Sequence, residues 1–292
     1  MHVFDHSELE NYLASHIERF DRLDRIEKFS DGQSNPTYKL TSAGRQFVLR
    51  AKPPGELMKS AHQVDREFRV MKALANTDVP VPEMLHLSEK TTPLGPMFFV
   101  MEMVEGRIFW DPALPELSKT DRAAVYDQMN AVLAALHAVD PDTVGLTDFG
   151  KPGNYYERQL ARWSKQYKTA ETEPLNDADW LIGWLNDHLL ADDGASSIVH
   201  GDYRIDNMIF AEESPKCIAV LDWELSTIGH PLADLASVIM QWQLPTGPDG
   251  RGLSGANRAE LGLPEDEEFI ASYCEKRKIP EISDFNFYLA FC

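Results

Sequence analysis

The chain has few cysteines and no long apolar run. Its 292 residues include 3 cysteines, and Cys217, Cys274 and Cys292 are too widely spaced for a disulfide framework or a zinc site. This usage fits a reducing compartment, so we expect a cytoplasmic protein. No stretch approaches the ~18 apolar residues of a membrane span, and the N-terminal segment lacks the regions of a signal peptide. We therefore expect no membrane partner.

Basic residues are also scarce. The chain has 28 Lys and Arg against 47 Asp and Glu, which gives a formal net charge of −19. Nucleic-acid binding draws its affinity largely from basic side chains that neutralise phosphates, so we expect no nucleic-acid partner. Hydrophobic residues at 43% and charged residues at 26% are ordinary globular values. The length allows two domains, each with its own core.

Apolar spacing divides the chain near residue 105. Helical spacing over 5–21, with Ser7 as a candidate N-cap, is followed by strand-like segments. The strands are predicted at 26–30, 37–42 and 46–51 and in VPVPEMLHL and PMFFVMEM, with a helix at 59–76 between the third and fourth. The pattern thus predicts a first domain, 1–105, with an N-terminal helix, a five-stranded sheet and one inserted helix.

Beyond Gly106 the sequence is mainly helical. Helices are predicted at 118–138, 154–170, 177–190, 231–243 and 265–278. The glycine-rich stretch 245–260 favours a mobile loop. The apolar ending FNFYLAFC begins a helix without a cap, so we expect the natural chain to continue past Cys292. These features predict a second domain over 106–292.

One stretch carries a chemical pattern. IVHGDYRIDNMIF contains His200-x-Asp202-x-x-x-x-Asn207, and IAVLDWELSTIGHPLADLA then places Asp222 at the end of an apolar strand. Taken singly, these residues are common in turns and cores. Together they resemble the catalytic loop and metal-binding segment of the protein-kinase-like superfamily, and within it the aminoglycoside phosphotransferase and choline kinase branch.

The resemblance implies a fold and a reaction. It implies an α+β, bilobal protein-kinase-like fold, with a small N-lobe antiparallel sheet carrying one helix and a larger, mainly helical C-lobe. It also implies a phosphotransferase that moves phosphate from ATP to a small-molecule hydroxyl with Mg²⁺. This reaction needs mainly positioning and charge neutralisation. Asp202, in loop 200–207, is the expected base, Asn207 and Asp222 (in segment 222–224) the expected metal ligands, and His200 an organiser of the loop.

Upstream residues follow the same likeness. Arg50 occupies the position of the phosphate-binding lysine, with Lys52 on the same strand face as its rival. Glu67 is the expected helix partner of Arg50, the alternative being a solvated helix glutamate. The turn over 31–37 has one glycine, and Ser34 is expected to face the phosphates. The Glu102 carbonyl and the Val104 N–H are expected to bind adenine.

The acceptor is less determined. Asp234 follows Asp222 too closely for a peptide-binding segment and is expected to hydrogen-bond the catalytic-loop backbone. The segments FVLRAKPPG, REFRVMKAL and DWELSTIGHPLADLA look like kinase-type domains associated with acyl-CoA dehydrogenases, which implies a 4-hydroxyacyl-CoA acceptor. An aminoglycoside or amino-alcohol kinase, a nucleotide-binding pseudokinase and an enzyme that uses GTP or another phosphate donor remain alternatives. The basic residues of helix 154–170 are either a CoA-binding patch or a solvated face.

Overall fold

The computed structural model describes residues 4–29, 35–53, 63–88, 94–247 and 251–292. The chain forms two compact units. The first comprises Met1–Gly106 with Ile218–Glu224, and the second comprises Arg107–Cys217 with Leu225–Cys292. None of the helices in the described part of the chain combines the length and hydropathy needed to cross a bilayer.

The first unit contains a five-stranded antiparallel sheet in the order β1-β2-β3-β5-β4. Its strands are β1 (Arg25–Lys28), β2 (Thr37–Ser42), β3 (Arg45–Ala51), β4 (Met84–Ser88) and β5 (Phe98–Glu102). The β2–β3 turn places Ala43 and Gly44 at φ of 48° and 79°. Positive φ at both central residues is the two-residue hairpin geometry that matches strand twist.

Alternation along β3 separates the core from the candidate site. Phe47, Leu49 and Ala51 point into the main hydrophobic cluster of this unit. Because successive strand residues face opposite sides, Val48 and Arg50 lie on the other face. That face carries α2 (Val64–Leu74), whose Phe68 ring lies 6.1 Å from the Phe99 ring.

Helix α1 (His6–His16) covers the opposite face through Leu9 and Leu13, both fully buried. The Ser7 cap prediction is wrong. Asp5 is the N-cap, and its Oδ1 accepts a hydrogen bond from the Glu8 N–H at 3.0 Å. A carboxylate here also meets the positive end of the helix dipole.

The second unit is mainly helical, as predicted. Its helices are α3 (Lys119–Ala138), α4 (Tyr155–Ala170), α5 (Asn176–Asp187), α6 (Leu232–Trp242), α7 (Arg258–Leu261), α8 (Asp266–Arg277) and α9 (Phe285–Phe291). Short strands are β6 (Ser197–Val199), β7 (Met208–Phe210), β8 (Cys217–Val220), which continues into the first unit, and β9 (Thr227–Gly229). Strand β6 pairs antiparallel with β9.

Much of the stretch predicted as a mobile loop is packed. Leu253 is buried, and its N–H bonds to the Trp242 carbonyl at 3.1 Å. The Gly252 N–H bonds to the Pro245 carbonyl at 2.9 Å. A Cβ at Gly252 would lie 1.9 Å from the Leu244 oxygen, so only glycine fits this turn. Helix α7 follows directly, whereas 248–250 lie outside the described residues.

Candidate active site

Arg50 forms a buried ion pair with Glu67 in the first unit. The Arg50 Nε and the Glu67 Oε2 are 2.9 Å apart, and their side chains are 16% and 3% exposed. Strand alternation turns Arg50 toward α2, where Glu67 belongs to the same buried stripe as Phe68 and Met71. The alternative of a solvated glutamate is therefore wrong.

Two further carboxylates meet the same guanidinium. Arg50 Nη2 donates to Asp222 Oδ1 at 2.7 Å, and Glu224 Oε2 lies at 3.5 Å. Asn35 Nδ2 donates to Glu224 at 3.3 Å. With all three carboxylates ionised, one arginine leaves a formal charge of −2. Sequence reasoning gave Glu224 no role, although DWE puts a carboxylate where the superfamily pattern has glycine.

This excess of negative charge shifts the pKa values of both buried partners, Glu67 and Arg50. Burial raises the pKa of Glu67 to about 7, and repulsion from Asp222 and Glu224 acts in the same direction against the attraction of Arg50. Burial lowers the pKa of Arg50, but its three carboxylate neighbours outweigh that effect and raise it above the ordinary value. The cluster is therefore short of positive charge.

The backbone presents Asp222 in an unusual conformation. Its φ is 64°, a left-handed value that aspartate tolerates better than most residues. On either side the chain is fixed. The Val220 N–H donates to the Pro80 carbonyl at 2.9 Å. The buried Trp223 donates from Nε1 to the Val220 carbonyl at 2.9 Å. Local strain of this kind concentrates at functional sites.

The remaining first-unit predictions lie at β5 and the β1–β2 turn. Glu102 ends β5, and its side chain accepts from the Glu83 N–H at 3.0 Å. Val104 lies just beyond the strand, and its N–H makes no hydrogen bond within the described part of the chain. Ser34 lies outside the described residues.

In the second unit, the loop after β6 brings Asp202 and Asn207 together. Asn207 Nδ2 donates to the Asp202 backbone carbonyl at 2.9 Å and to Asp202 Oδ2 at 3.1 Å. The Asp202 N–H donates to Nδ1 of the fully buried His200 at 3.2 Å. His200 thus organises the loop, as predicted. Asp202 keeps a side chain that is 33% exposed.

Asp234 holds the start of this loop, as the sequence predicted. Its Oδ2 accepts from the His200 N–H at 2.7 Å and its Oδ1 from the Gly201 N–H at 2.8 Å. His137 Nε2 lies 3.2 Å from Oδ2, and Tyr273 OH lies 2.7 Å from His137 Nδ1. Burial alone would raise the pKa of Asp234, but these hydrogen bonds and nearby histidines lower it below the ordinary value.

Gly201 is required by the loop geometry. Its φ is 86°, and a Cβ there would lie 2.8 Å from the Leu225 carbonyl oxygen. A larger residue would push the loop away from Leu225.

Arg204 also contacts the expected base, and the sequence pattern did not single it out. Its Nε lies 3.6 Å from Asp202 Oδ1 and donates to Asp206 Oδ1 at 3.0 Å. The guanidinium of Arg204 therefore lies between the carboxylates of Asp202 and Asp206.

The available oxygen atoms suit a hard divalent cation. Asn207 uses its Nδ2 on Asp202, which leaves its Oδ1 for another partner. In the first unit, Asp222 and Glu224 carry the uncompensated charge. Among the described residues no three His, Cys, Asp or Glu side chains converge as a metal-binding group.

The basic face of α4 is engaged in local contacts. Arg158 donates to the Lys151 carbonyl at 2.6 Å, and Lys168 pairs with Asp179 at 2.5 Å and with Glu171 at 3.3 Å. These contacts favour the alternative of a solvated helix face over a CoA-binding patch.

Residues 25–270 match the family model described as phosphotransferase enzyme family. The chain is 47% identical over 265 residues to mouse acyl-CoA dehydrogenase family member 10, covering 90% of this chain and 25% of that protein. It is 40% identical over 299 residues to rat acyl-CoA dehydrogenase family member 11, covering 99% and 38%. The chain thus spans about a quarter of the first of these relatives and about two fifths of the second.

Solved structures share the fold. A Ralstonia eutropha protein assigned to the aminoglycoside phosphotransferases has a TM-score of 0.90 and 46% identity, covering 99% of this chain and 85% of that one. A more distant structure, at 16% identity and a TM-score of 0.63, is an aminoglycoside phosphotransferase in complex with AMP-PNP and hygromycin B, with coverage of 97% and 88%. The fold is α+β and protein-kinase-like, as predicted.

Proposed function

This chain belongs to the phosphotransferase enzyme family, and from that premise we propose that it transfers the γ-phosphate of ATP to a hydroxyl group of a small molecule. The observation that carries the proposal is the loop after β6. Asn207 donates to the backbone carbonyl of Asp202 at 2.9 Å and to its partly exposed carboxylate at 3.1 Å. A carboxylate held this way suits proton transfer from an alcohol.

The chain's own residues divide the work. Asp202 accepts the proton of the acceptor hydroxyl as its oxygen attacks the γ-phosphorus, and the bond to the β-phosphate oxygen breaks. One alcohol and one ATP give one phosphate ester, ADP and a proton, which Asp202 then releases to water. Arg50, oriented by Glu67, binds phosphate oxygens. Asn207 and Asp222 are the residues that would hold Mg²⁺, which would neutralise phosphate charge.

Nucleotide binding uses the first unit. The Glu102 carbonyl and the Val104 N–H bind the adenine edge. The Val104 N–H makes no hydrogen bond to any of the described residues, which supports this role. Ser34 contributes a hydroxyl to the phosphate loop. ATP as donor is supported by the AMP-PNP complex of the more distant phosphotransferase.

The acceptor that we propose is a 4-hydroxyacyl-CoA thioester. The support is similarity to part of two proteins named as acyl-CoA dehydrogenase family members, at 47% and 40% identity. A kinase acting beside such a dehydrogenase would convert a hydroxyl, which leaves poorly, into a phosphate ester, which leaves well. Fold alone does not choose the acceptor.

The test is a transfer assay with ATP, Mg²⁺ and 4-hydroxyvaleryl-CoA or kanamycin at equal concentration. We expect the thioester to gain the mass of one phosphate, with stoichiometric ADP. Asp202→Asn is the matched control, because it keeps the shape of the side chain and removes the base. It should lower kcat by about 10²–10⁴-fold and leave the KM for ATP nearly unchanged.

Each other outcome has a distinct meaning. Transfer to kanamycin alone would support an aminoglycoside kinase and contradict the thioester. ATP binding without transfer to any hydroxyl compound would favour a pseudokinase. Full activity in Asp202→Asn would contradict the catalytic role that we propose for Asp202.

A further inference from the structure

A cavity of about 440 Å³ opens within the second unit beside the catalytic loop. Its lining includes Trp110, Arg204, Asp206, Trp242, Leu244 and Arg251. The volume falls in the range of small-molecule sites. Arg204 and Asp206 belong to the same 200–207 loop as Asp202, so this wall is continuous in sequence with the proposed base.

The cavity has excess positive charge, although the whole chain carries −19. Arg204 donates to both oxygens of Asp206 through its Nε and Nη2. Arg251 Nη1 donates to Asp206 Oδ2 at 3.1 Å. Two guanidinium groups thus share one carboxylate, whose side chain is only 7% exposed. The lining residues leave a formal charge of +1.

The two arginines have different roles in this arrangement. Arg204 uses two of its guanidinium nitrogens to bind Asp206 and thereby stabilises the loop beside Asp202. Arg251 makes one side-chain hydrogen bond within the described residues and is 47% exposed. It therefore keeps N–H donors that can take a carboxylate or a phosphate oxygen.

Apolar groups flank the exposed arginine. The Arg251 guanidinium lies over the Trp110 ring at 5.6 Å. Trp110 and Leu244 are 54% and 41% exposed, which is high for large apolar side chains. The wall thus combines a cation with adjoining aromatic and aliphatic surface.

The backbone holds Arg251 in place. Its φ is 50°, and its N–H donates to the Gly247 carbonyl at 2.9 Å. The following Gly252 has no room for a Cβ against Leu244. A bulky residue with positive φ is uncommon and persists when its surroundings fix it.

We propose that this cavity is the acceptor subsite and that Arg251 selects acceptors with an anionic group. This inference rests on the proposed function, because it takes Asp202 as the base beside the cavity. Arg251 binds the carboxylate or phosphate of the acceptor, and Trp110 and Leu244 contact its apolar part. A polycation would place like charge against two arginines, so an aminoglycoside is disfavoured here.

Two sources could supply the anion: the phosphates of a CoA thioester, or the carboxylate of a free hydroxy acid. The experiment measures calorimetric binding of coenzyme A, of 4-hydroxyvalerate and of ATP with Mg²⁺ to the wild-type chain and to Arg251→Ala. We expect Arg251→Ala to raise the Kd of one anionic probe by about 10–100-fold, the usual worth of a hydrogen bond to a charged group. The ATP Kd should not change.

Arg251→Lys and Arg162→Ala complete the set. Lysine keeps the positive charge but lacks the planar guanidinium with its several N–H donors, so Arg251→Lys should raise the Kd of the anionic probe less than Arg251→Ala does. Arg162 lies over Trp163 at 5.1 Å on α4, outside the cavity lining, and so matches the Arg–Trp pair without the subsite. Arg162→Ala should bind all three probes as the wild type does. Thermal unfolding of each variant checks that the fold is retained.

The outcomes separate this inference from the proposed function. A coenzyme A effect identifies phosphate as the anion, and an effect on 4-hydroxyvalerate alone identifies the carboxylate. ATP binding without binding of either anion, or equal losses in Arg251→Ala and Arg162→Ala, would overturn the subsite and leave the kinase proposal intact. An Arg251-dependent anion Kd with no ATP binding would support anion binding by Arg251, but it would contradict the kinase and with it the acceptor role of the cavity.

Discussion

Arg50 is the residue on which the charge of the first-unit cluster depends. It is a cation among three carboxylates, and the buried member of these, Glu67, has a pKa raised to about 7. A raised pKa means that the folded chain takes up a proton at Glu67 as the pH falls through 7. A neutral Glu67 no longer forms an ion pair that orients Arg50.

Loss of this ion pair on protonation of Glu67 predicts that kcat/KM for ATP depends on pH. Between pH 8 and pH 6, kcat/KM for ATP should fall with a midpoint near 7 in the wild type, because kcat/KM reports ionisations of the free enzyme. Glu67→Gln cannot titrate, so its profile should be flatter and lower at pH 8. Phosphate groups also titrate near pH 6, and the difference between the two profiles removes that shared contribution. Parallel profiles would contradict the role given to Glu67.

At the scale of the element, the loop 200–207 is held by a helix. Asp234, in the first turn of α6, accepts from two consecutive backbone N–H groups of the loop. His137 of α3 and Tyr273 of α8 extend this network. Three helices thus fix one loop through buried hydrogen bonds, which cost more to break than surface ones do.

Asp234→Asn tests this support. An amide has one oxygen, so one backbone N–H loses its acceptor, and we expect a loss of about 2–4 kcal/mol in the free energy of unfolding at pH 7. The pKa of Asp234 is lowered in the folded chain, so its stabilisation is present above the ordinary aspartate pKa and is lost as pH falls through the folded value. Thermal unfolding from pH 7 to pH 3 should therefore show the two proteins converging in acid. A constant difference would refute this assignment.

At the scale of the whole molecule, the net negative charge opposes binding of the anionic acceptor that we propose. A net charge of −19 repels anions at long range, whereas the cavity beside Arg251 attracts them at contact. Salt screens the first effect more strongly, since the Debye length falls from ~30 Å at 0.01 M to ~8 Å at 0.15 M.

The two effects predict opposite salt responses for different acceptors. With ATP saturating and Mg²⁺ constant, kcat/KM for 4-hydroxyvaleryl-CoA should rise about 2–10-fold between 0.01 and 0.15 M salt. Any transfer to kanamycin, a polycation, should fall over the same range. A fall for the thioester would mean that the local arginines dominate even at a distance.

The sequence by itself determined the elements and the phosphotransfer motif. Helices predicted at 118–138 and 265–278 are observed at Lys119–Ala138 and Asp266–Arg277. They were predictable because a 3.6-residue apolar period is a local property of the chain. The spacing of Asp202, Asn207 and Asp222 was readable in the same way, since these three residues lie within a stretch of 21.

Only the tertiary structure decided the partners. Glu224 meets Arg50, and Arg251 meets Asp206, because packing brought distant segments together. Packing also decided the 245–260 stretch, which the sequence alone predicted to be a mobile loop. Its glycines indicated conformational freedom, but the close contact with Leu244 leaves room only for a glycine at position 252. Composition records which side chains a chain has, and long-range packing fixes which of them meet.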